Sequence, residues 1–272
     1  MNKSFLIWII FVACFAFSAC EKVIEFNLAD SKSTIVIEAT ITNNRDPFTV
    51  LVSKTSPYFG TATTNLVSGA KVSVRVENGI PKYFKESSPG VYKLEKITVT
   101  SKNWYILDVE YEGITYSARS YLNDLVPIMD FSLSYFDGFG LFDSGYKVNC
   151  FIRDPAGIKN YYRMKIYVNG ELNENEGEFN IYSDELFDGK VIGLVQHSAV
   201  FKETDHILVE LQSIDKATYD YFSTLESISG IEMIQSASPA NPISNFNNGA
   251  LGYFSAYSLD RKVLNINDYI SK

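Results

Sequence analysis

The chain has 272 residues, with 24 Lys and Arg against 32 Asp and Glu, which gives a net charge of −8. Hydrophobic residues make up 46% of the sequence, which excludes a wholly disordered chain because enough apolar surface is available to form a core. The acidic balance argues against nucleic acid as a partner and against electrostatic docking on anionic lipid. The length predicts either one large all-β domain or two domains once any targeting segment is removed.

The first twenty residues have the pattern of a secretory signal. Lys3 is the only charge before an apolar run over residues 5–17, and this run is shorter than the roughly 20 residues that span a bilayer core. Small residues then precede Cys20, which resembles a bacterial lipobox, in which the cysteine is acylated and becomes the mature N-terminus. We predict that residues 1–19 are a lipoprotein signal peptide and that Cys20 is lipidated, with palmitate among its acyl chains.

Two alternatives to lipidation at Cys20 stay open. Cys14 is a rival acceptor that would leave a shorter apolar region, and a plain secretory signal would make Cys20 incidental. Glu21 follows the cysteine, and by resemblance to the sorting rule for lipoproteins the lack of Asp there implies the outer membrane. Residues 20–32 then form a lipidated tether, and the membrane face on which the protein lies stays open.

Residues 33–126 have the pattern of an immunoglobulin-like or prealbumin-like β-sandwich. Apolar residues alternate with polar ones over 34–42 and again over 70–77, which is typical of half-buried strands. Asn78-Gly79 and Pro89-Gly90 mark turns between such runs. About seven short strands without a helix predict two packed sheets.

A second β-rich domain is predicted for residues 127–272, because the sequence 123–127 breaks the pattern of strands. Its strand-like runs are separated by longer loops rich in Gly, Asp and Asn. One helix is predicted near 215–229, with Asp215 as its N-cap and Gly230 after its end. Cys150 lies in a strand-like run and is predicted to be a buried, inert thiol.

No sequence motif predicts catalysis or a metal site. His197 and His206 are the only histidines and lack zinc-ligand spacing, and no nucleophile elbow or nucleotide-binding glycine motif occurs. Asp184, Glu185 and Asp188 could offer oxygen ligands to calcium, but solvated acidic turns are the simpler interpretation. We therefore expect no enzyme activity, no cofactor and no metal, while calcium binding by the acidic loops stays open.

The candidate binding surface comprises Tyr253, Tyr257 and Arg163. The two tyrosines lie in an aromatic run that also holds two glycines, which permit close approach of another backbone. Exposed, their rings would form a contact platform, whereas buried rings would belong to the core. Phe254 is predicted to belong to the core of the second domain, and a ligand role for Arg163 is weighed against a structural one.

Four segments together resemble one bacterial family, in the order RDPAGIKNYYRMKIYVNGE, YSDELFDGK, ELQSIDKATYDYF and NPISNFNNGALGYFSAYS. They are similar to the Bacteroidota lipoproteins grouped as domain of unknown function 4249. The resemblance covers nearly the whole mature chain. It implies an outer-membrane lipoprotein of the cell envelope, often encoded beside TonB-dependent receptors, and it implies no known reaction.

The expected function is therefore that of a non-catalytic, outer-membrane-anchored lipoprotein. Its partners would be the membrane, through the N-terminal lipid, and an outer-membrane receptor or transporter that it serves as an accessory. The alternative is a surface module that binds a glycan or a peptide directly, with a hydrolase as a third hypothesis. A groove of exposed aromatic rings would favour the glycan binder, and a flat apolar patch would favour a protein partner.

Overall fold

The computed structural model describes residues 33–43, 47–56, 65–95, 97–140, 143–173, 178–196, 199–231 and 241–270. The predicted signal peptide, the tether and Cys20 lie outside the described residues, and so does His197. The described residues are mostly in β-strands, as the sequence predicts. None of the described helices is long and apolar enough to cross a membrane.

Strands are distributed along the whole described chain, and two helices follow late in the sequence. The first nine strands are β1 (Ile35–Thr42), β2 (Phe48–Lys54), β3 (Asn65–Leu66), β4 (Lys71–Val76), β5 (Lys82–Tyr83), β6 (Lys85–Ser88), β7 (Val91–Leu94), β8 (Asn103–Tyr111) and β9 (Ile114–Leu122). The others are β10 (Ile128–Phe136), β11 (Gly145–Arg153), β12 (Tyr161–Val168), β13 (Glu171–Leu172), β14 (Ile181–Ser183), β15 (Val191–Val195), β16 (His206–Ile214) and β17 (Leu251–Asn265). The helices are α1 (Lys216–Ile231) and α2 (Asn267–Ile270), and a short 3-10 turn covers Asp184–Leu186.

Two sheets enclose the first hydrophobic core. One contains β5-β4-β8-β9, and the other is part of a ten-stranded sheet in which β17, β1, β2, β7 and β6 are neighbours. Alternate residues of β1 are buried because successive strand side chains point to opposite faces. Ile37 and Ile41 thus pack with residues from β4, β7 and β8. This arrangement agrees with the predicted sandwich.

A second core lies between β12 and β16 of the large sheet and the three-stranded sheet β10-β11-β15. Cys150 is buried in this core. Burial raises the pKa of the Cys150 thiol to about 12, so the thiol stays protonated at neutral pH. The prediction of a buried cysteine is therefore confirmed, and its high pKa makes it a poor nucleophile.

Strand β17 contributes to both cores. Phe254 and Ala256 belong to the first core, and Leu264 belongs to the second. The strand pairs in parallel with β1 and antiparallel with β16. The first core therefore draws residues from both sides of the predicted boundary near residue 126, and that boundary stays a prediction. A fragment of residues 33–126 would keep β2, one partner strand of β1, and would lack β17, the other.

Asp215 begins helix α1 and ties it to the first sandwich. Its Oδ1 accepts a hydrogen bond from the Thr218 N–H at 2.9 Å, which is the geometry of an N-cap. Its Oδ2 accepts hydrogen bonds from the Ser120 hydroxyl at 2.8 Å and from the Tyr121 N–H at 3.0 Å. The predicted cap is therefore confirmed, and the same buried carboxylate also fixes the helix to β9.

The loop before β17 closes the outer edge of β9. Asn247 exchanges hydrogen bonds with Ser117, through its N–H at 3.0 Å and its Oδ1 at 2.7 Å, and Asn248 Nδ2 donates to the carbonyl of Thr115. Asn245 donates to the Phe254 carbonyl at 2.8 Å and accepts from the Phe254 N–H at 3.0 Å. Asparagine side chains therefore take the place of a neighbouring strand, which protects an edge that would otherwise present unpaired backbone groups.

Candidate functional site

The predicted binding surface of Arg163, Tyr253 and Tyr257 is largely buried. Arg163 is 5% exposed and Tyr257 is 4% exposed, and only Tyr253 is half-buried. Phe254 is fully buried, as predicted, but it lies in the first core and not in that of the second domain. The burial of Arg163 and Tyr257 agrees with the structural alternative that the sequence left open, because both side chains lie on the face of the large sheet that α1 covers. A binding role for the three residues stays a prediction.

Helix α1 packs its rings on this sheet face. The Tyr221 and Tyr253 ring centroids are 4.7 Å apart, and those of Phe222 and Tyr253 are 5.0 Å apart. The Arg163 guanidinium lies 3.9 Å from the centre of the Phe222 ring, within cation–π distance. Burial raises the pKa of Tyr221 to about 12, and the nearby Glu38 carboxylate adds to this effect. The cluster is thus a helix–sheet contact with aromatic geometry, and it offers little surface to a ligand.

Three acidic residues from two loops form a cluster, of which the sequence indicates only Asp184 and Asp188. Carboxylate oxygens of Asp154, Asp184 and Asp188 lie within 4.8 Å of one another, which is close enough to hold a cation. Asp154 accepts hydrogen bonds from the Tyr162 hydroxyl at 2.5 Å and from the Gly189 N–H at 2.9 Å. Burial raises the pKa of the Tyr162 hydroxyl strongly, and its hydrogen bond to the Asp154 carboxylate raises that pKa further.

Backbone N–H groups satisfy the other two carboxylates of this cluster. Asp184 accepts from the Asn160 N–H at 2.7 Å, and Asp188 accepts from the Gly157 N–H at 2.8 Å. Each bond joins the loop that follows β11 to the loop that precedes β15. The cluster therefore joins two loops through hydrogen bonds. The predicted residues Asp184 and Asp188 belong to it, whereas Glu185 is exposed.

His206 lies at the exposed start of β16. Its backbone N–H donates to Asn169 Oδ1 at 3.0 Å. Within the part of the chain that the structure describes, no hydrogen bond links the His206 imidazole to a hydroxyl or to a carboxylate. The described arrangement around this histidine therefore lacks the contacts of a general base in a catalytic triad.

The most exposed aromatic surface lies on the hairpin formed by β10 and β11. Phe139, at the turn, is 81% exposed, and Tyr135 is 56% exposed. Tyr135 stands opposite Tyr146 across the hairpin, with ring centroids 5.1 Å apart and an edge-to-face angle of 71°. The Lys147 ammonium lies 5.0 Å from the centre of the Phe136 ring. We name these side chains, Tyr135, Phe136, Phe139 and Tyr146, the aromatic hairpin.

The sequence pattern of residues 131–135 predicts a strand but not its exposed aromatic surface. A usable signal was present, because aromatic residues stand on both sides of the turn-forming Asp137-Gly138-Phe139-Gly140. Apolar rings next to a turn have less chance of being covered than rings in the middle of a strand. Two glycines of that turn have positive φ, at 79° for Gly138 and 62° for Gly140, and Phe139 between them is 81% exposed.

The fold and the aromatic hairpin define a β-rich protein with two cores and exposed aromatic side chains. The sequence matches the family described as Domain of unknown function (DUF4249) over residues 21–262, and the chain belongs to that family. A search of curated proteins found no match. The family match extends into β17, so it includes the first core, the aromatic hairpin and all of the second core except Leu264 and Ile266.

Proposed function

We propose that this protein is a non-catalytic lipoprotein of the cell envelope in a member of the Bacteroidota. Cys20 carries the lipid, palmitate included, and holds the protein at the outer membrane. The protein acts there as an accessory of a TonB-dependent receptor or transporter, which it binds directly. The lipobox-like end of the signal segment and the family membership support the location.

The aromatic hairpin is the observation that carries the binding role. Tyr and Phe supply large contact areas with little loss of conformational entropy, so exposed rings of this kind are frequent centres of protein interfaces. An exposed Phe139 in water also has no folding benefit that would explain its place at a tip. The hairpin therefore supports a protein partner better than it supports chemistry.

Photo-crosslinking in living cells tests the binding role. With p-benzoylphenylalanine at position 139, irradiation should join the protein to an outer-membrane receptor or transporter that mass spectrometry identifies. The same label at Ile114, which is exposed on the β8–β9 hairpin of the first sandwich, serves as the control and should give no such product. Equal products from both positions, or none from position 139, would contradict the proposed surface.

The lipid anchor has a separate test. Cys20→Ser should remove the acceptor thiol, so that the protein is released from the membrane or accumulates as an uncleaved precursor. Each buried CH₂ of an acyl chain contributes about 0.8 kcal/mol to membrane binding, so the loss of several chains should be complete rather than partial. Metabolic labelling with a palmitate analogue, followed by fractionation, measures this, with Cys14→Ser as the control. Normal labelling and cleavage of Cys20→Ser would exclude Cys20 as the site.

A second candidate function, direct binding of a glycan or a peptide, has its own observation. Two adjoining clefts of about 340 Å³ and 380 Å³ share Arg119 and Asn245. The Arg119 guanidinium lies 4.5 Å from the centre of the Trp104 ring, which holds it in place within the cleft. Aromatic and amide groups of this kind bind sugars, but Arg119 already covers part of the Trp104 ring. This candidate ranks second for that reason.

A further inference from the structure

Strand β10 has an edge without a neighbouring strand. Among the described residues β10 pairs with β11 only. Natural proteins protect such edges with charges, proline or a covering segment, because an unprotected edge pairs with other chains. Residues 131–136 of β10 read Phe-Ser-Leu-Ser-Tyr-Phe and contain neither charge nor proline. We name this six-residue stretch the open edge.

Hydrogen bonds on β11 reveal which backbone groups face outward. The Tyr146 N–H and C=O both bond to Phe201, at 2.8 Å each, on the side of β11 that faces away from β10. Tyr135 stands opposite Tyr146, so these two residues exchange no backbone hydrogen bonds. The N–H and C=O of Tyr135 therefore point away from β11, toward the unpaired edge of β10. The N–H and C=O of Leu133 point in the same direction, because the hydrogen-bonding pattern of antiparallel strands repeats every two residues.

The beginning of β10 is covered, which makes the open edge a local feature. The Ile128 N–H donates to Asp260 Oδ2 at 2.9 Å, and Lys262 Nζ donates to the Met129 carbonyl at 3.1 Å. Tyr269 of α2 extends this coverage: its hydroxyl donates to Asp130 Oδ1 at 3.2 Å, and its ring centroid lies 6.4 Å from that of Phe131. In the described structure no hydrogen bond joins the outer backbone groups of Leu133 or Tyr135 to another element. The edge of β9, by contrast, is closed by asparagine side chains.

Charge at the hairpin indicates the kind of segment that fits. From Asp130 to Lys147 the sequence has three acidic residues, Asp130, Asp137 and Asp143, and one basic residue. A partner strand with basic side chains would therefore meet opposite charge, and its apolar side chains would meet Tyr135 and Phe139.

We infer that the open edge receives an extended, basic segment of the partner protein by strand addition. This inference rests on the proposed function and specifies how the partner is held: backbone hydrogen bonds at Leu133 and Tyr135 supply the pairing, and the aromatic hairpin supplies the apolar contact. A strand that pairs over the open edge spans about 20 Å, given about 3.3 Å per residue.

Two substitutions of Tyr135 separate the contribution of its backbone N–H to binding from the contribution of its ring. Tyr135→Ala removes the ring and keeps the outward N–H, whereas Tyr135→Pro removes both. Proline is tolerated where the N–H of an edge strand faces solvent, so both variants should keep the circular dichroism spectrum of the native protein. The probe is a synthetic peptide that alternates Val with Thr and Lys, and its twin carries Glu in place of every Lys.

The basic peptide should bind the native protein and slow hydrogen exchange of the Leu133 and Tyr135 amides about tenfold or more. It should bind Tyr135→Pro about fivefold to tenfold more weakly than Tyr135→Ala, because one backbone hydrogen bond is lost. The acidic twin should bind more weakly than the basic peptide to the native protein.

Equal affinity of the two variants, or unprotected Leu133 and Tyr135 amides at a saturating concentration of the basic peptide, would overturn strand addition. The exchange measurement uses the native protein, so it decides the matter even if Tyr135→Pro does not fold. A dimer in solution that Tyr135→Pro makes monomeric would assign the open edge to a second copy and would also overturn the inference. Crosslinking from position 139 to a receptor would leave the proposed function intact in each case, whereas its failure would remove that function as well.

Discussion

Gly252→Ala should destabilise the protein by about 3–6 kcal/mol, which is a large share of the stability of an ordinary domain. Gly252 has a φ of 91°, in the region that residues with a Cβ avoid. It stands opposite Ile37 in the parallel pairing of β1 and β17. An added Cβ would overlap the Ile37 carbonyl oxygen and lie 2.8 Å from the Ile37 carbonyl carbon. Backbone atoms in the middle of a sheet cannot move aside as a flexible side chain could.

Gly249→Ala provides the matched control for this prediction. Gly249 also has a positive φ, at 74°, but a Cβ there would meet no atom within 4 Å. Its substitution should therefore cost only about 1–2 kcal/mol, from backbone strain alone. Urea unfolding of both variants, followed by circular dichroism, measures the difference. A loss of stability in Gly252→Ala no greater than that in Gly249→Ala would contradict the close approach of β1 and β17.

The sequence predicts those elements whose signals are local. The alternation of residues 34–42 predicts β1, and the structure has a strand at Ile35–Thr42. The helix predicted near 215–229 is observed at Lys216–Ile231, because its cap residue and its apolar face lie within the helix and its first turn. The loop before β17 is also predicted, since Asn and Gly are frequent in turns.

Contacts between distant segments could not be predicted in this way. The parallel pairing of β1 with β17 joins residues more than two hundred positions apart, and no periodic pattern indicates which strand pairs with which. The burial of Arg163 and Tyr257 depends on where α1 packs on the large sheet. Asp154 joins Asp184 and Asp188 only because two loops meet in the fold. The sequence of the aromatic run around Tyr253 and Tyr257 likewise does not indicate which face of β17 another element covers.

Asp215→Ala should lower the free energy of unfolding by about 3–5 kcal/mol. The carboxylate accepts hydrogen bonds from Thr218, Ser120 and Tyr121, and it is 6% exposed. Alanine would leave the N–H groups of Thr218 and Tyr121 without their acceptor in a place that water reaches poorly, and such buried donors are costly. The Ser120 hydroxyl, which also accepts from the Ala256 N–H at 2.8 Å, would lose its own acceptor. One substitution would therefore weaken the contacts among α1, β9 and β17.

Asp220→Ala is the control, because it removes a carboxylate from the same helix without touching this network. Asp220 pairs with the exposed Lys216 one turn away, and such pairs contribute about 0.3–0.5 kcal/mol. Thermal unfolding of the two variants, monitored by circular dichroism, compares them directly. Asp215→Asn should lie between the two, since an amide keeps one acceptor oxygen. If Asp215→Ala and Asp220→Ala unfolded at the same temperature, Asp215 would not fix α1 to β9 in solution, and α1 would be held by its aromatic contacts with the large sheet.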